Sequence, residues 1–164
     1  MKLITHSLCA IAALCLISAC SSDPITELEM TTNNDLLVNV ENNTEFAFEV
    51  MDVVNEYRAT LDLPPLLWHP DSEAFAVNHS YYMVQQNEAS HDNFLERAEA
   101  LQDRGASLVS ENIAFGFLDA ESVLQGWLGS PPHKEAIEGN FTHSGIGIVY
   151  DENNHPYYTQ LFIK

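Results

Sequence analysis

Gly145-Ile146-Gly147-Ile148-Val149-Tyr150-Asp151-Glu152-Asn153-Asn154-His155-Pro156-Tyr157-Tyr158-Thr159-Gln160-Leu161-Phe162-Ile163-Lys164 closes the chain and decides its fold class. Ile146, Ile148 and Tyr150 alternate with Gly145, Gly147 and Val149, Asp151 to His155 supply turn residues, and the alternation resumes from Tyr157. A period of two on both sides of a turn is a β-hairpin. A third strand around Ser107 to Ser110 completes a small antiparallel sheet. Working back from the hairpin, the period becomes helical. Phe46, Val50, Val53, Val54, Tyr57 and Leu61 line one face of a first helix that begins near Asn43 or Thr44. Asn42 with Glu45 offers its cap, and Pro64-Pro65 stops it. A second helix starts at Pro70-Asp71 and runs to about Gln86, with Ala74, Val77, Tyr81 and Met83 inward. A third, Phe94 to Arg104, ends at Gly105, where a left-handed residue suits the C-terminus. Asp119 caps a further helix carrying Val123, Leu124, Trp127 and Leu128. Helices covering the faces of a small sheet make an α+β sandwich.

The first 20 residues are a processing signal. Lys2 gives a basic start, Leu8 to Ile17 an apolar run too short for a permanent span, and Ile17-Ser18-Ala19-Cys20 the pattern of a bacterial lipoprotein signal. Cys20 is the expected lipidation site and new N-terminus, which makes the membrane a partner through lipid. Ser21 rather than Asp after it favours the outer membrane of a bacterial cell envelope. Cys9 and Cys15 leave with the signal and the lipid consumes Cys20, so no disulfide is available and the domain relies on an apolar core. Residues 21–43, rich in Ser, Thr, Asn, Asp and Glu, read as a flexible tether with a reach of roughly 25 Å. Leu36, Leu37, Val38 and Val40 offer a short docking strand within it. Residues 44–164 are one domain. The formal charge of −18 excludes nucleic acid, which needs a basic surface, and disfavours anionic head groups.

Four dispersed motifs carry the chemistry: Ser90-His91-Asp92-Asn93-Phe94, Ser110-Glu111-Asn112-Ile113-Ala114, Trp127 with Ser130 and His133, and Tyr157-Tyr158-Thr159-Gln160. Brought together, His91, Glu111 and His133 form a polar cleft able to exchange protons or to hold a divalent cation such as Zn²⁺, for which two imidazoles, a carboxylate and a water are suitable ligands. The competing reading makes Glu111 a buried carboxylate compensated by hydrogen bonds or by His91. Ser130 and His133 read either as nucleophile and base or, with Pro131-Pro132 following, as an N-cap and first helical turn. Tyr158 and Gln160 either line the cleft or belong to the core. His69, His79, His143 and His155 read as surface or packing residues. Phe115, Phe117, Trp127 and Tyr150 are core, or else walls of an apolar groove.

In order and spacing these motifs resemble the CAP superfamily (cysteine-rich secretory proteins, antigen 5, pathogenesis-related proteins), and within it the bacterial SCP-like domains. The resemblance rests on Asn55-Glu56-Tyr57-Arg58, Leu66-Leu67-Trp68, Ala76 with His79-Ser80 and Met83, Ser90-His91 with Phe94 and Arg97, Glu111-Asn112-Ile113-Ala114, Trp127 with Ser130 and His133, and Tyr158-Thr159-Gln160. It implies an α-β-α sandwich with a large open cleft. His91 and Glu111 match the first histidine and glutamate of the family's cleft tetrad, and His133 the histidine of bacterial members. Ser130 stands where animal and plant members carry glutamate, and Tyr157 where they carry their last histidine. The lipoprotein signal, the tether and this resemblance together point to a lipid-anchored domain, non-enzymatic or at most weakly catalytic, and the resemblance implies that it binds a small apolar ligand, a cell-wall fragment or a partner protein in its cleft. The alternatives are a metal-assisted hydrolase, with Glu111 as general base, and a structural envelope protein.

Overall fold

The structure is a computed structural model that describes residues 40–164. The signal, Cys20, tether residues 21–39 and the docking residues Leu36, Leu37 and Val38 lie outside the described residues.

The terminal hairpin forms as its alternation requires. β3 (His143–Tyr150) and β4 (Pro156–Ile163) pair antiparallel from His143 opposite Ile163 to Tyr150 opposite Pro156. β2 (Val109–Phe115) lies antiparallel on the other side of β4. It begins close to the expected third strand but continues through Glu111-Asn112-Ile113-Ala114, whose polar pair hides the apolar alternation. β1, only Leu67–Trp68, joins β3 in parallel, so the sheet is mixed, in the order β1-β3-β4-β2. β2 is therefore an edge strand.

Helices cover both faces, giving the α-β-α sandwich. Tyr158, Phe162, Ile146 and Ile148 pack with Val50 and Val54 of α1 (Thr44–Ala59) and with Val123, Leu124 and Trp127 of α4 (Ala120–Leu128). On the opposite face Leu161 and Ile163 meet Phe75 and Ala76 of α2 (Pro70–Gln86) and Ala100 and Leu101 of α3 (Phe94–Gln102). Each large side chain sealed here contributes about 1.5–3 kcal/mol, which substitutes for the missing disulfides. α2 approaches so closely that a Cβ on Gly145 would fall 2.0 Å from the Glu73 nitrogen, and one on Gly147 2.2 Å from the Val77 nitrogen. The small residues of the hairpin alternation are thus the floor on which α2 lies.

Helix ends follow local chemistry. Asn43, not Asn42, caps α1, accepting from the Phe46 amide. Asn42 instead mimics a strand: its amide donates to Ile146 O at 3.0 Å and accepts from Ile148 N at 2.9 Å, occupying the β3 edge beyond β1. α1 stops at Ala59, which leaves Leu61 exposed rather than inward, and its buried face is Ala47, Val50, Met51, Val54 and Arg58. Arg58 donates to the carbonyls of Pro64, Ile137, Gly139 and Phe141. Asp119 caps α4 through the Ser122 amide at 2.8 Å. α5 (Pro131–Glu138) begins with prolines after Ser130, whose side chain makes no capping bond.

Candidate functional site

The site grows from the loop between α2 and α3. Asn87 ends α2 in the left-handed conformation, φ 52°, and turns the chain toward Ser90. There His79, 2% exposed on α2, fixes the backbone: its Nε2 lies 2.7 Å from the Ser90 carbonyl. A carbonyl only accepts, so Nε2 carries the hydrogen. Burial, and next the Arg97 guanidinium, hold His79 below the usual histidine range and keep it neutral. The loop thus delivers His91 to the sheet edge, and Asn93, again left-handed at φ 58°, starts α3.

Strand alternation then sends Glu111 and Asn112 to opposite faces of β2. The Glu111 side chain is 1% exposed. Arg97 on α3, itself buried, grips it through Nε to Oε2 at 2.9 Å and Nη2 to Oε1 at 2.9 Å, while Nη1 donates to the Asp92 carbonyl at 2.6 Å. Such a forked pair is the strong, planar form of charge compensation. His91 Nδ1 lies 2.8 Å from Glu111 Oε1, and because the carboxylate is an acceptor, Nδ1 donates and Nε2 is left for other partners. The His91 side chain remains 48% exposed. From the other face α5 brings His133, whose ring centre is 5.9 Å from that of His91. Burial first, then the His91 imidazole, holds His133 below the usual range. Its ring makes no hydrogen bond to the protein among the described residues.

His91, Glu111 and His133 therefore meet at the rim of β2, arriving from both faces of the sheet. Ser130 lies at the start of α5, and no hydrogen bond joins it to His133 among the described residues. Tyr158 and Gln160 are fully buried in the sandwich. The Tyr158 hydroxyl donates to Phe117 O at 2.6 Å, and Gln160 donates to Ser144 Oγ at 3.1 Å. Arg97 and His79 stand in the sequence motifs without a role legible there. A buried glutamate demanded a cation, but the partner lies 14 residues away with no periodic signature.

The candidate donors for a divalent cation are the His91 and His133 imidazoles and the Glu111 carboxylate. Both Glu111 oxygens are engaged by Arg97, whose positive charge opposes a metal ion, and burial closes the carboxylate to an approaching ligand. Among the described residues no group of three or more His, Cys, Asp or Glu side chains could hold a metal ion. His91 Nε2 and the His133 ring are the nitrogens on offer, with Glu111 as the carboxylate that orients one of them, a common arrangement behind metal-binding histidines. The residues fit a two-imidazole site completed by water rather than one in which Glu111 is a ligand.

Residues 51–162 match the model of the family described as CAP, cysteine-rich secretory protein family. The chain is 31% identical over 123 residues to an uncharacterized membrane protein, YlbC, of Bacillus subtilis (strain 168). That match covers 71% of this chain and 34% of the relative, so the chain spans about a third of the length of the curated protein it matches. Among solved structures, an extracellular protein containing an SCP domain from Bacillus anthracis is similar with a TM-score of 0.63 and 35% identity, over 74% of this chain and 41% of that one. An outer surface protein of Borrelia burgdorferi shares the fold, with a TM-score of 0.67 and 23% identity over 76% of this chain and 96% of that one.

Proposed function

Because the chain belongs to the CAP, cysteine-rich secretory protein, family, we propose that it is an extracytoplasmic, lipid-anchored binding domain that holds a small ligand, a cell-wall fragment or a partner protein against His91 and His133. One observation carries the reading: a buried Arg97–Glu111 pair fixes the tautomer and direction of an imidazole left half open to solvent. Burying an ion pair is costly, and apolar residues of the same volume serve stability as well or better. Its use here is to aim His91. Glu111 is sealed from water, which argues for binding over hydrolysis with that residue as base. The relatives described as a membrane protein and an extracellular protein support a place outside the cytoplasm. Among the described residues no helix is long and apolar enough to cross a membrane; the anchor proposed here is lipid on Cys20, at the end of the Ile17-Ser18-Ala19-Cys20 motif.

Where a divalent cation takes part, His91 Nε2 and His133 hold it, and it would supply a Lewis-acidic contact for an oxygen of the ligand. The test pairs the wild-type protein with the double variant His91→Ala/His133→Ala, both sites being partly exposed and tolerant of truncation. Co-sedimentation with peptidoglycan sacculi and calorimetric titration with Zn²⁺ are measured on each. Loss of both signals in the variant, with circular dichroism unchanged, is the expected result. Equal binding by the two proteins would remove the cleft from the reading.

A further inference from the structure

We infer that Asn112 is a positioning residue for the cleft, setting the distance of His133 from His91; the inference rests on the two-imidazole reading above. Asn112 is fully buried and donates from Nδ2 to the His133 carbonyl at 3.0 Å, across 21 positions of sequence. Its neighbour Glu111 holds His91 on the opposite face. Two successive residues of one edge strand thus grip the two histidines from opposite sides, and the 5.9 Å separation of the rings follows from where these grips lie.

The way Asn112 is oriented supports this role. Among the described residues its Oδ1 has no donor, and neither has Oε1 of Gln160, its directly opposed partner on β4. Reversing the Asn112 amide would aim an oxygen at the His133 carbonyl oxygen, and two acceptors repel. The amide therefore faces the way the helix carbonyl requires, while the interior of the sheet keeps an unpaired acceptor. A side chain present only to fill the core would carry no such atom, since an apolar residue of the same outline avoids it.

Asn112→Leu provides the test on the full chain. The exchange takes the Asn112 donor away from the His133 carbonyl while also removing an unpaired buried acceptor, so the urea midpoint should fall modestly with the variant still folded. Proton NOEs between the His91 and His133 rings, present in the wild type, should be lost, and the affinity for Zn²⁺ should fall by about tenfold or more, as for other residues that orient ligands indirectly. Should Asn112→Leu not fold, Asn112→Ala removes the donor without adding bulk or charge, and the same NOE loss is expected. Retention of the inter-ring NOEs in the folded variant overturns the inference and leaves the cleft reading intact. Absence of these NOEs in the wild type overturns it as well. A wild type that shows them but binds neither Zn²⁺ nor sacculi instead sinks the proposed function, and the effect of the variant on the NOEs still decides the role of Asn112.

Discussion

Arg97 is the residue on which the site's electrostatics turn. It supplies the cation beside a carboxyl group that solvent cannot reach, and removing one member of a buried pair costs about 3–5 kcal/mol. Arg97→Met should therefore lower unfolding free energy by that order in urea titrations monitored by circular dichroism, whereas exchange of both members, Arg97→Met with Glu111→Leu, should restore most of the loss. A second consequence concerns protons. His79 is buried neutral, with its folded pKa depressed by burial, the Arg97 charge and the His91 imidazole, and raised in part by Glu111 and the Ser90 carbonyl. The unfolded chain takes up this proton first, near pH 6.5. Stability linked to His79 is hence fully present above that pH and is lost as pH falls through the folded value. The urea midpoint should drop between pH 7.5 and pH 5, and His79→Gln, though less stable at neutral pH, should show a shallower drop.

The helices and strands test the local reasoning. Asp119 accepts from the Ser122 amide, and Asp119→Ala should lower the thermal midpoint measurably; Ser130, at the equivalent position before α5, makes no such bond, so Ser130→Ala should leave the thermal midpoint nearly unchanged. The contrast also bears on chemistry, because a nucleophilic serine would show a loss of activity that a silent cap would not. Gly147→Ala drives a methyl into the α2 backbone, at the upper end of the about 1–3 kcal/mol typical of overpacking, and differential scanning calorimetry should register it. What was legible in the sequence follows the same physics. The hairpin, α2 and the α4 cap could be read because alternation, proline and aspartate act locally. β1 is too short to have a period, and β2 disguises itself because the two polar residues interrupting its pattern are those that build the site. His91, Glu111 and His133 were recognisable as a set only through resemblance to other proteins. Their convergence at an edge strand from opposite faces is a property of sheet order, which no spacing along the chain encodes.

For the molecule as a whole, the strongly acidic composition and the expected acylation at Cys20 act together: one holds the domain near a membrane, the other discourages it from lying flat on anionic head groups. Cys20→Ser should move the protein from the membrane pellet to the soluble fraction on cell fractionation without altering the midpoint of urea unfolding, since the domain from Asn42 onward carries its own core. An unchanged distribution would remove the anchor. Proteins confined to a surface are crowded in two dimensions, where exposed strand borders tempt neighbours to aggregate. Asn42 answers that hazard on the β3 side, because a single carboxamide plugs the donor and acceptor that an incoming ribbon would need. Replacement by leucine would uncork that border, leaving the Ile146 carbonyl and the Ile148 amide open to a ribbon from a crowded neighbour.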